Sequence, residues 1–232
     1  MAYGADTAWI PDRGPAPETG LGLVFEADAG VVSAFRALER NRLALGLAGS
    51  WRLSDGASVR ASYAGQALWM PDGSRVIGSG DVRLGTHARL VDRSAEIWLE
   101  SEIKLPNAPD ESGLGTDETD WLGRCWVRWN GPLRVEAGVG LAILGSPNAF
   151  ASQDDALVTD LRLTLPLDAA ESWVAFGGRA WSPENPPDLA LRMGAARETE
   201  GLVVGAEAVV GLTPAAPDVG GRLWLAVVPP GA

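Results

Sequence analysis

Four groups of residues in this 232-residue chain are of types that do chemistry. His87 is the only histidine. It shares the polar parity of an alternating run with Arg83 and Arg89, where an imidazole could act as a general base. A hydrolase also needs a nucleophile and an orienting group, and no Gly-x-Ser-x-Gly sequence supplies one. The plainer reading is a hydrogen-bonded polar residue, and no enzyme is expected. Glu96, Glu100 and Glu102 recur at every second position and could form an acid–base pair. Alternate side chains on one strand stand about 7 Å apart, however, and neighbouring arginines would hold all three ionised. Asp110, Glu111, Asp117 and Glu118 offer enough oxygen atoms for calcium but lack the spacing of a known calcium loop, so no metal is expected. Trp98, Trp126, Trp173, Trp181 and Trp224 fall on the polar parity, where they could either contact an aromatic or apolar solute or simply fill space.

These residues must be positioned by strands. From about residue 20 onward, apolar side chains recur at every second position, the period that puts them on one face of an extended chain. Leu133, Val135, Ala137, Val139, Leu141 and Ile143 alternate with Arg134, Glu136, Gly138 and Gly140; Leu157, Leu161, Leu163 and Leu165 alternate with Asp160, Arg162 and Thr164. Strands are predicted at 20–28, 41–53, 57–69, 80–91, 94–106, 120–130, 132–144, 156–167, 171–182, 188–198, 202–212 and 220–228. Tight turns such as Asp55-Gly56 and Asn130-Gly131 alternate with longer loops at 29–40, 70–79, 107–119, 145–155, 183–187 and 213–219. That alternation is the signature of an up-and-down barrel crossing a bacterial outer membrane, with short turns on one side and long loops on the other. Trp51 and Trp129 beside short turns, with Trp69 and Trp121 beside long loops, stand where two interfacial aromatic girdles would lie.

The composition agrees. No apolar run approaches the ~18 residues of a transmembrane helix. The net charge of -11 argues against a nucleic-acid partner. One cysteine, Cys125, on the apolar parity, excludes a disulfide framework, and one histidine excludes any usual zinc site. Of the 19 basic residues only Lys104 is lysine, a bias toward the fork-shaped guanidinium that suits fixed carboxylate pairs. If the apolar parity faces lipid, then Arg83, His87, Arg89, Glu96, Trp98, Glu100, Arg124, Trp126, Arg128, Glu136, Arg162 and Arg179 line the lumen, the candidate solute path. Residues 1–18 read as a flexible tail before a barrel of residues 19–232. They carry no basic and apolar leader, so an export signal is expected to have been removed.

The middle of the chain adds a resemblance. Gly78-Ser79-Gly80-Asp81 opens one strand, Glu102-Ile103-Lys104-Leu105-Pro106 closes the next, and Gly113-Leu114-Gly115-Thr116 and Asp120 follow. Over about residues 76–145 this order resembles the outer-membrane barrels known as meta-pathway phenol-degradation transporters. Asn107-Ala108 and Asp117 depart from the family's pattern. The resemblance implies a barrel that passes a small aromatic compound. It also singles out Gly80, Asp81, Gly113, Gly115 and Asp120 as a rim motif, whose carboxylates would cap loop amides or bind a cation. The expectation is therefore all-β: a single closed antiparallel up-and-down barrel of about 12 strands. It would sit in a lipid bilayer as a passive channel for a small, aromatic or apolar solute, without a cofactor. The alternatives are a barrel enzyme, a closed structural barrel, and a soluble secreted β-barrel or sandwich that binds a ligand. No oligomeric state follows.

Overall fold

The computed structural model describes residues 20–29, 41–69, 72–107, 118–145, 155–168, 170–181, 187–213, 216 and 219–227. Among these lie twelve strands: β1 (Gly20–Ala29), β2 (Asn41–Ser54), β3 (Ala57–Trp69), β4 (Arg75–Val91), β5 (Ala95–Leu105), β6 (Asp120–Trp129), β7 (Arg134–Ile143), β8 (Ala156–Leu167), β9 (Ala170–Trp181), β10 (Asp188–Thr199), β11 (Leu202–Gly211) and β12 (Val219–Val227). Each pairs antiparallel with the next, and β1 pairs with β12 to close the barrel. Closure matters because an open edge would leave main-chain amides unsatisfied in hydrocarbon. The predicted tail, residues 1–18, lies outside the described residues.

Alternation along each strand sorts the side chains. Leu45, Leu84, Leu99, Val139, Leu161 and Val204 point outward and are exposed. Among the described side chains, the outward positions of β2–β12 carry only two charges, Arg75 and Arg197, both near strand ends. In water such a band would be an aggregation surface; in a bilayer it is the solvated face. Trp51, Trp69, Trp121 and Trp129 are outward and exposed at the two rims. The Glu200-Gly201 hairpin has positive φ at both residues (52° and 78°), the two-residue turn whose twist matches its strands.

Bulges shift the alternation in places that periodicity alone does not reveal. Tyr63 and Gly65 on β3 face Val82 and Ser79 on β4, so β4 carries one extra residue at Gly80-Asp81. This slip is why β4 starts at Arg75 and not at the predicted residue 80, for the parity before the bulge is opposite to that after it. A second bulge lies on β9, where Leu157 and Val158 face Trp181 and Arg179. It corrects Trp181: predicted on the lumen side, it faces outward with 60% of its surface exposed. Beside loop 182–187, Trp181 joins Trp69 and Trp121 in the long-loop girdle.

Candidate functional site

The inward faces of β4–β10 carry a lattice of ion pairs stacked in three levels. At the long-loop end, Lys104 on β5 is fully buried between Asp120 on β6 (Nζ to Oδ2 2.7 Å) and Asp81 on β4 (3.6 Å). The same carboxylates hold the ends of two loops: Asn107 donates its amide to Asp81 (3.0 Å) and Gly145 donates its amide to Asp120 (2.8 Å). The Asn107 side-chain amide also donates to the carbonyl of Gly80 (3.2 Å). The rim aspartates thus cap loop amides, and the cation between them is the protein's own ammonium. The Gln66 side-chain amide packs over Gly80, so a Cβ there would displace it. Gly113 and Gly115 lie outside the described residues. Below this level Leu122, Ala142, Ala156 and Val158 form a small apolar cluster on β6–β8.

The middle level runs across five strands. His87 Nε2 on β4 meets Glu100 on β5 (3.4 Å), Glu100 meets Arg124 on β6 (2.6 Å), and Arg124 meets Asp160 on β8 (3.4 Å). Arg192 on β10 then binds Asp160 (2.7 Å). Arg83 pairs with Glu102 beside this chain (3.1 Å). The lower level lies nearer the short turns. Arg128 pairs with Glu96 (3.3 Å) and Glu136 (2.7 Å), Arg162 approaches Glu136 (3.9 Å) and Glu171 (4.0 Å), and Arg134 reaches Glu171 (3.4 Å). Each carboxylate in these levels therefore faces at least one cation, as burial of charge demands. The three glutamates on β5 are salt-bridged, not paired with one another as an acid and a base.

The inward tryptophans lie flat against the wall. Trp126, Trp173 and Trp224 each cover a cross-strand glycine, respectively Gly138, Gly194 and Gly205, where any Cβ would strike the indole. Their other faces are used as well. Arg162 sits 4.5 Å from the Trp173 ring centre, Arg124 sits 5.0 Å from Trp126, and Arg89 and Arg128 both sit 5.5 Å from Trp98. The indole N–H groups of Trp98, Trp126 and Trp173 donate to Glu96, Glu100 and Glu207. Trp98 and Trp126 are cross-strand partners, yet guanidinium groups cover them in place of a free aromatic slot. Trp173 and Trp224 do approach each other, at 5.7 Å between centres.

Packing is uneven around the ring. Inward side chains of β8–β12 are largely shut from solvent: Thr164 is 0% exposed, Arg192 3% and Glu207 6%. Those of β3 and β4 are mostly half-buried, which leaves a wetted crevice beside β3–β6. At its surface Arg128 exposes 34% of its side chain against 13% and 14% for its partners Glu96 and Glu136, and His87 38% against 9% for Glu100. Arg89 is the reverse case, 23% exposed against 65% for its partner Asp92 in the short turn.

Of the twelve lumen residues expected from parity, Arg83, His87, Glu96, Glu100, Arg124, Arg128, Glu136 and Arg162 are ion-paired in this lattice. Trp98 and Trp126 lie against it, and Arg89 lies over Trp98 while pairing with Asp92 (3.0 Å). Arg179 stands apart, opposite Asp188 on β10. Glu102, Lys104, Arg134, Asp160, Glu171 and Arg192 also belong to the lattice and were not among the expected lumen residues. Their inward parity was visible, but which charges meet across strands two apart was not.

No protein-family model matches this chain, and no curated protein matches it. Solved structures do. The chain is similar to the translocator domain of the autotransporter NalP from Neisseria meningitidis, at 15% identity and a TM-score of 0.52 over 96% of this chain and 92% of that one. It also overlays the β domain of the Bordetella autotransporter BrkA (12% identity, TM-score 0.48, 90% of this chain and 99% of that one) and outer membrane phospholipase A from Escherichia coli (12%, 0.45, 90% and 92%). The chain has the fold of an outer-membrane β-barrel. Identities this low carry the fold alone.

Proposed function

We propose that the chain resides in a bacterial outer membrane as a passive channel for small anionic solutes. The observation that carries this reading is the crevice beside β3–β6. There the Arg128 guanidinium stands nearer to water than its partners Glu96 and Glu136, and the His87 imidazole nearer than Glu100. A wall of that sign attracts anions and repels cations from a narrow wet path. Purely apolar solutes fit less well, since guanidinium groups already cover the indole faces of Trp98 and Trp126.

The test is single-channel recording of refolded protein in a planar bilayer under a KCl gradient. Discrete steps with a reversal potential displaced toward the chloride value are expected. Cation selectivity, or electrical silence from a barrel shown by protease protection to be inserted, would reject the reading.

A further inference from the structure

The strand registers bring together a set of residues that no sequence motif connects. Ser58 on β3 is the cross-strand partner of His87 on β4, and His87 is the cross-strand partner of Glu100 on β5. All three occupy inward positions in one row across the wall. From this row we propose an acyl-transfer site in the lumen, with Ser58 as nucleophile, His87 as general base and Glu100 as the residue that positions the imidazole.

The geometry assigns each role. Glu100 is held from the far side by Arg124 Nη2 (2.6 Å) and by the Trp126 indole N–H (3.1 Å), both on Oε2. Its other oxygen, Oε1, is thereby turned to His87 Nε2 at 3.4 Å. A neutral imidazole that donates Nε2–H to a carboxylate carries its lone pair on Nδ1. Within the ring Nδ1 points broadly away from Nε2. Ser58 stands on the other side of His87 from Glu100, as its cross-strand partner on β3. Directly opposed residues have Cβ atoms about 4.5–5.5 Å apart, a span that one serine Oγ and one imidazole Nδ1 can bridge. The imidazole keeps 38% of its side-chain surface open, so a substrate and water can reach it from the crevice. Arg52 is the cross-strand neighbour of Ser58 on β2, and Arg60 lies two residues along β3 on the same face.

The substrate class is a carboxylic ester small enough to enter the crevice. Ser58 Oγ attacks the carbonyl carbon as its proton passes to His87 Nδ1. Collapse of the tetrahedral adduct breaks the carbon–oxygen bond to the leaving alcohol, which receives that proton. Water then adds to the acyl-serine with His87 again taking the proton. The acid is released and the Ser58 hydroxyl is restored.

A fluorophosphonate probe tests the site, because it phosphonylates an activated serine with loss of fluoride and needs no knowledge of the natural ester. Refolded barrel, verified by its heat-dependent gel mobility, is incubated with the probe and the adduct is located by peptide mass. Labelling at Ser58 is expected. Ser58→Ala should abolish it, Ser62→Ala on the same face should leave it intact, and His87→Gln should slow it by about 10²–10⁴-fold. Glu100→Gln should lower the maximal labelling rate without changing the probe concentration at half-saturation. An unlabelled wild-type barrel, or an adduct that survives Ser58→Ala, overturns the proposal. A Glu100→Gln variant altered only in half-saturation would remove Glu100 from the positioning role.

Discussion

Replacing Lys104 with methionine should unfold the long-loop end of the barrel more readily than any single surface change. The ammonium is 1% exposed and lies 2.7 Å from Asp120 and 3.6 Å from Asp81, each 4% exposed at the side chain. Methionine fills much of the same volume, so the loss is electrostatic more than steric. Removal of one partner from a buried ion pair costs about 3–5 kcal/mol, because the remaining charge has no compensation. Here two carboxylates are left facing each other, while both still hold the loop amides of Asn107 and Gly145. With a denaturant slope of about 2 kcal/mol per molar urea, the unfolding midpoint in lipid vesicles should fall by about 2 M. Tryptophan fluorescence reports the transition. The combined variant Lys104→Met with Asp81→Asn and Asp120→Asn removes the stranded charges, so it should recover most of the loss. An unchanged midpoint for Lys104→Met would refute the buried-ammonium account. Failure of the triple variant to recover would show that packing, not charge, was lost.

Other expectations address the lipid face, the flat indoles and the crevice. Leu161 is outward, 45% exposed and central in β8, so Leu161→Arg should cost about 2–4 kcal/mol at the bilayer midplane. The same change at Leu167, at the strand end, should cost about 0–1 kcal/mol. Folded yield in vesicles of graded urea content distinguishes the two, and equal penalties would count against the assigned face. Gly205→Val would force a branched side chain into the Trp224 ring, costing about 1–3 kcal/mol by overpacking. Adding Trp224→Ala should relieve much of that penalty in the same unfolding assay. Glu102→Gln leaves Arg83 without its 3.1 Å carboxylate partner and should shift the reversal potential further toward chloride. A shift the other way would mean that Arg83 does not face the water path.

A period-2 pattern carries the architecture because side-chain direction along an extended chain is local. From Leu43 to Leu225 it marks the lipid face; the charges left on the other face, in a membrane barrel, can only face the lumen. The turn chemistry at Asp55-Gly56 and Glu200-Gly201 likewise needs only neighbouring residues. The chain's twelve strands, its two aromatic girdles and the inward side of eight members of the ion-pair lattice were therefore readable in one dimension.

Register is different in kind. One extra residue in a strand exchanges its two faces without leaving a mark in composition, which is why Trp181 changed sides and why β4 begins at Arg75. Contacts across the lumen depend on barrel curvature and on which rows coincide, so the bond from Arg124 to Asp160 and the burial of Lys104 emerged only in three dimensions. The row of Ser58, His87 and Glu100 has the same origin. These residues come from three strands, and only hydrogen-bonded pairing makes them neighbours. Away from the bulges, sequence determined which residues face inward; the tertiary structure decided which of them meet, because pairing energy depends on distances that the linear chain does not contain.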